Sequence, residues 1–233
     1  MIGAGVDVWR MRLAREAGEV AALHALLDPA EQSRARMFRA ERDRRRFVVA
    51  RATLRTLLAE YAGLDPHRVT LIVRAGGKPI VSNDGANGSL HFNLSHCGEL
   101  AVCAIADREV GVDVEQLKHH DDMERVAQHF FADEEARRLR TLAGMERTRF
   151  FFRTWVRKEA YLKATGEGLA RRTTSFTVQT PGAGVTIVAP DGSCRVDASY
   201  QVYDLPDIDD HFAAVALAGS GAAPAIHYRE WPA

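Results

Sequence analysis

Two carboxylates stand two residues apart in Gly111-Val112-Asp113-Val114-Glu115, inside a β-prone stretch. Successive side chains on a strand face opposite sides, so Asp113 and Glu115 share one face while Val112 and Val114 point to the core. Side-by-side carboxylates repel, and each raises the other's pKa. A cation between them removes that penalty, and Mg2+ prefers such hard oxygens while keeping positions for water and phosphate. Taken alone, the two residues favour a plain solvated strand face. A second group lies in the helix-prone stretch from Phe151 to Lys163, where Glu159 and Lys163 are four apart and share a face, with Trp155 one turn earlier. These are either an ordinary surface Glu–Lys pair beside a core Trp, or a third metal ligand and a phosphate-binding cation. Spacing does not decide between them.

Further residues suit phosphate. Asn93-Leu94-Ser95-His96 closes a strand and carries a hydroxyl and an imidazole toward a turn, although a capping or core His96 fits the same pattern. Gly77-Lys78-Pro79 places a lysine on a rigid turn that a ligand can approach closely. Arg34, Arg36, Arg39, Arg42, Arg44, Arg45, Arg46, Arg51 and Arg55 crowd one region, opposed only by Glu31, Glu41 and Asp43. Most of them read as a solvated face. Some could grip a phosphate bidentately or attract an acidic partner.

The elements that must position these groups are legible in outline. Asp28-Pro29 looks like a helix start, and helical composition runs, with a break, to Tyr61 and a stop at Gly63. Phe47, Ala50, Leu54, Leu57 and Leu58 recur at helical spacing. Residues 69–73 read as a strand and 82–89 as a polar loop. Residues 101–106 and 110–114 flank Asp107-Arg108-Glu109 as a hairpin. Asp133-Glu134-Glu135 opens a helix, and a long helix spans about 147–164 before Gly166 and Gly168. Residues 176–217 read as strands and loops, with a turn at Pro181-Gly182. The segment 99–106 echoes 211–218, which is compatible with two similar α+β halves, 1–110 and 111–233.

Composition narrows the setting. The 233 residues are 46% hydrophobic and 27% charged with formal net charge zero, an ordinary balance for a globular chain. No apolar run reaches a membrane span, and Met1 to Arg15 does not read as a signal peptide. Cys97, Cys103 and Cys194 are an odd number without metal-type spacing, which fits a reducing, cytoplasmic setting.

In order along the chain, Gly77-Lys78-Pro79, Phe92-Asn93-Leu94-Ser95-His96, Gly111-Val112-Asp113-Val114-Glu115 and Trp155 to Lys163 resemble the signatures of the Sfp-like 4′-phosphopantetheinyl transferases. Phe130 to Glu135 resembles the segment between that family's metal-binding motifs. The resemblance covers roughly residues 28 to 170. It implies an α+β fold of two similar halves related by a pseudo-twofold axis, with the active site in the cleft between them. It also implies roles. Asp113, Glu115 and Glu159 would hold Mg2+ on the coenzyme A pyrophosphate, and Lys163 would contact that pyrophosphate. Lys78, Pro79, Ser95 and His96 would hold the nucleotide end, with Arg46 and Arg51 as further nucleotide residues. The implied reaction moves phosphopantetheine from coenzyme A to a serine of an apo carrier protein, releasing adenosine 3′,5′-bisphosphate. Glu159, or a water on the metal, would take the serine proton, with His96 as a donor. One chain supplies both halves, so a monomer suffices. Cys97 and Val156 depart from the family's usual serine and its usual Thr or Ser, which bears on local packing and not on the reaction. Two rivals use the same residues: a magnesium-dependent nuclease or phosphohydrolase, and a nucleic-acid-binding module built on the arginine-rich helices. The neutral overall balance argues against the latter.

Overall fold

The computed structural model describes residues 5–74, 76–82, 90–118, 122–168, 172–178, 184–188, 193–220 and 222–232. By contact density the chain forms two units. The first is Met1–Arg74, Pro79–Asp107 and Pro224–Ala233, and the second is Ala75–Lys78 and Arg108–Ala223.

The first unit contains β1 (Val6–Arg12), α1 (Ala17–Ala25), α2 (Pro29–Arg36), α3 (Glu41–Ala62), β2 (Leu71–Val73), β3 (Pro79–Val81), β4 (His91–Cys97) and β5 (Leu100–Ala106). Asp28 starts α2 because its carboxylate accepts the Glu31 N–H at 2.8 Å while Glu31 accepts the Asp28 N–H at 3.1 Å. Gly63 ends α3 at φ 66, a left-handed conformation that glycine adopts without strain. Ala50, Leu54, Leu57 and Leu58 turn inward as their spacing predicts, and pack with Phe92, Ala101, Cys103 and Ile105 in one apolar cluster. Strand β2 is shorter than its apolar run, since Val69 follows a 3-10 turn at Pro66–Arg68 whose cap, Asp65, accepts the His67 N–H. The loop expected over 82–89 and the turn at Pro181-Gly182 fall almost wholly outside the described residues.

The second unit contains β6 (Val110–Gln116), α4 (Met123–Phe130), α5 (Asp133–Thr141), α6 (Gly144–Thr165), β7 (Phe176–Thr177), β8 (Gly184–Val188), β9 (Cys194–Asp204) and β10 (His211–Ala218). A last strand, β11 (Ile226–Glu230), returns to the first unit and pairs in parallel with β1. The sheets run β11-β1-β5-β4 and β6-β10-β9-β8-β7, with β2-β3 a separate ribbon.

One expectation needs correction. Strands β5 and β6 do not form a hairpin. A strand has two hydrogen-bonding edges, and those of β5 are filled by β1 and β4, so β6 pairs with β10 in the other sheet. Alternation along β6 holds and Val112 and Val114 are buried as expected, while the carboxylates' face is not a solvated one, since the apolar cluster of the second unit lies on that side too. Gly111, Asp113 and Glu115 stand opposite Ala216, Ala214 and Phe212, all members of the cluster that includes α6. Val112 and Val114 are buried on the other face. The echo between 99–106 and 211–218 corresponds to β5 and β10, each an inner strand of its own sheet.

Candidate active site

Helix α6 lies against the face of β6 that carries the acids, and Gly111 permits the approach. A Cβ built on Gly111 would fall 2.1 Å from the Ala160 carbonyl oxygen and 2.3 Å from the Ala164 nitrogen. The absent side chain, with buried Ala160 and Ala164, brings α6 close enough for Lys163 Nζ to donate to Asp113 Oδ1 at 2.6 Å. Asp113 is 4% exposed. Glu159 stands one turn before Lys163 and is half-buried. Burial pushes its carboxyl above the usual carboxylate range, Asp113 and Glu115 push it further, and Lys163 pulls it back. With all groups ionised, three carboxylates face one ammonium. Among the described residues, no group of His, Cys, Asp or Glu is drawn tightly enough to hold a metal as it stands. The donors nevertheless fit a hard divalent cation: they are carboxylate oxygens, they carry excess negative charge, and they feel one another's fields.

Further pairs fix α6, and the sequence did not announce them. Lys158, beside Glu159, points the opposite way and is 2% exposed. Its ammonium meets Glu135 Oε2 at 2.8 Å and donates to the carbonyls of Thr173 (3.0 Å) and Phe176 (2.5 Å). Glu135 also accepts from the backbone of Ala132 and Val178, so the buried pair is fully engaged. On another face Arg157 grips Asp204 with two bonds, 2.7 and 2.6 Å, and Arg153 adds a third at 3.1 Å. Lys78 also belongs to this unit. It donates to Glu109 Oε2 at 2.5 Å, the Val110 carbonyl at 3.0 Å and the Ala164 carbonyl at 2.9 Å. A signal for Lys158 existed in the apolar residues around it, but its partners lie 15 to 23 positions away on other elements.

The remaining predicted residues lie in the first unit. Arg46 bonds Glu99 at 2.8 Å and, with Arg15, Arg42, Arg45, Glu41 and Glu99, lines a cavity of about 340 Å³. Arg51 holds one oxygen of Glu31, Oε1, from Nε at 2.9 Å and Nη2 at 2.8 Å. Arg55 is no surface arginine. It is 2% exposed and donates to the carbonyls of Leu26 (3.0 Å) and Val69 (2.9 Å) beside Glu31 and Asp28. Ser95 and His96 are on β4 itself, with the turn following at Gly98. They face opposite sides of the sheet, Ser95 buried and His96 exposed. Pro79 begins β3 opposite Val73.

Acids of a strand and a helix, with a lysine one turn on, thus gather on one face of β6. Comparison with known proteins gives the class. The family described as the 4′-phosphopantetheinyl transferase superfamily matches residues 109–216, and the N-terminal 4′-phosphopantetheinyl transferase family matches residues 15–108. The 4′-phosphopantetheinyl transferase HetI of Nostoc is 36% identical over 225 residues, 96% of this chain and 92% of that one. A 4′-phosphopantetheinyl transferase of Bacillus subtilis is 32% identical over 177 residues, covering 76% and 77% of the two chains. Sfp of Bacillus subtilis is 27% identical over 168 residues, covering 72% and 73%. The chain belongs to the 4′-phosphopantetheinyl transferase superfamily. It carries that family's activity, transfer of 4′-phosphopantetheine from coenzyme A to a carrier protein.

Proposed function

We propose that Asp113, Glu115 and Glu159 hold Mg2+ against the coenzyme A diphosphate and that Lys163 binds the same phosphates. The carrying observation is the Lys163–Asp113 contact where α6 packs on β6, beside a Glu159 carboxyl held above the usual range by burial first and then by Asp113 and Glu115. When bound, the cation supplies charge neutralisation and orientation of the phosphate oxygens. The chain's own residues do the rest. Lys163 offers a fixed positive donor to oxygens that gain charge as the phosphoanhydride breaks. The carrier serine oxygen forms a bond to the β-phosphorus, and the bond to the bridging oxygen breaks. Adenosine 3′,5′-bisphosphate takes that electron pair. The serine proton passes to the Glu159 carboxylate. Ser95, His96, Pro79, Arg46 and Arg51 are proposed for the nucleotide end. Of these, Arg46 lines a basic cavity, while Arg51 would have to exchange its Glu31 partner.

The protein acts as a monomer in this reading, since one chain carries both matched halves. Its setting is cytoplasmic, in keeping with three free thiols. Among the described residues no helix is long and apolar enough to cross a membrane. The test is to incubate the protein, coenzyme A and Mg2+ with a panel of apo acyl and peptidyl carrier proteins and weigh the carriers. A carrier gaining one phosphopantetheine supports the reading. Hydrolysis of coenzyme A with no carrier gain would replace it with a phosphohydrolase.

A further inference from the structure

Lys78 has a geometry that its turn position did not foretell. Residues 75–78 belong to the second unit, although first-unit residues flank them on both sides. The turn seats on the end of α6. A Cβ on Gly76 would come within 1.8 Å of the Gly166 carbonyl oxygen, and a Cβ on Gly166 would touch Lys78 Cδ at 3.6 Å. Gly76 thus lets the two backbones meet, and the lysine stem lies in van der Waals reach of the helix terminus at Gly166. The side chain is 6% exposed. An ammonium has three donors, and here they reach Glu109 Oε2, the Val110 carbonyl and the Ala164 carbonyl. The Ala164 carbonyl lies in the last turn of α6, where carbonyls lack helical partners and the dipole is negative. Val110 opens the strand that carries Asp113 and Glu115. One charge therefore joins the end of the helix bearing Glu159 and Lys163 to the start of the strand bearing the other two acids. For Lys78 to reach a nucleotide phosphate, it would have to abandon two backbone carbonyls and a carboxylate in a buried place.

We propose that Lys78 is a positioning residue and not a nucleotide ligand: it clamps the C-terminal turn of α6 to the start of β6 and so sets the spacing of the acidic site. This rests on the site reading given above. Small misplacements of reacting groups cost rate more than binding, on the order of 10²-fold for ~1 Å.

The experiment compares Lys78→Met, which keeps the stem and deletes the ammonium, with wild type. Coenzyme A and 3′-dephospho-coenzyme A serve as alternative co-substrates for one apo carrier, and melting temperature is followed alongside. A clamp predicts a kcat loss of about tenfold or more, while the ratio of the two KM values stays as in wild type. Glu109→Gln, which keeps the lysine, should lower kcat in the same direction with the ratio unchanged. The double variant should fall little below Lys78→Met, because the two groups act as one unit. A KM ratio in Lys78→Met that collapses toward unity would make Lys78 a phosphate ligand and overturn the proposal. So would a wild-type kcat in a folded Lys78→Met protein. If Lys78→Met does not fold, Glu109→Gln decides by the same two readouts. A wild type that transfers nothing from coenzyme A would overturn the underlying reading and this proposal together, and that result is visible before any variant is made.

Discussion

Glu159 meets opposing demands. In the proposed role it shares a cation with two other acids, yet burial and then those neighbours raise its pKa above the usual carboxylate range. A divalent cation relieves the repulsion, so Mg2+ should stabilise the folded protein as any ligand of the native state does. The gain is about 2.7 kcal/mol when the ion is at roughly 100 times its Kd. Thermal melting with and without Mg2+ checks this. Wild type should melt higher with the ion, and Glu159→Gln should lose most of the shift. The two pairs were legible in the sequence because periodicity is local: a two-residue repeat puts Asp113 with Glu115, and a four-residue repeat puts Glu159 with Lys163, while only the family resemblance joined the pairs into one set. What each faced was not legible. The partners of Lys78 and Arg55 are mostly backbone carbonyls brought in from distant positions, and no pattern around either residue encodes them.

At the scale of elements, the site is a helix held at a set distance from a strand. Gly111 sets the closest approach, so Gly111→Ala forces a methyl into the Ala160 carbonyl and must displace α6. Overpacking of this kind costs about 1–3 kcal/mol. Denaturant unfolding should show that loss, together with a kcat reduction beyond what the unfolded fraction explains. The Lys158–Glu135 pair holds the other side of α6 to α5 and β7. Lys158→Met alone leaves a buried carboxylate unmatched and should cost about 3–5 kcal/mol. Lys158→Met with Glu135→Leu removes both charges and should recover much of that, which a double-mutant cycle in denaturant measures. Helix positions and caps were readable because capping is local: Asp28 with Glu31, Gly63 and Gly166 all act where the sequence points. Strand pairing was not. The short link between β5 and β6 reads as a hairpin, and only the distant β1, which takes the second edge of β5, forbids it.

At the scale of the molecule, formal charge is zero but its distribution is uneven. Helices α2 and α3 gather arginines, several of them tied to Glu31, Glu41 or Glu99. Others, such as Arg34 stacked over the Phe47 ring, stay at the surface. A net basic surface would steer an acidic carrier, and screening weakens such attraction, with a Debye length of about 10 Å at 0.1 M salt. The kcat/KM for a carrier should therefore fall as ionic strength rises, chiefly through association, while kcat changes little. Stopped-flow or initial-rate series in salt check this. The proposed role of the second unit is to assemble, from one strand and one helix, the acids that perform the transfer. It is tested most directly by the rate at which a folded Glu159→Gln protein, matched to wild type in melting temperature without Mg2+, adds phosphopantetheine to an apo carrier, read by intact mass. A fall of roughly 10² to 10⁴ is predicted for a group acting in proton transfer, and a rate equal to wild type would contradict it.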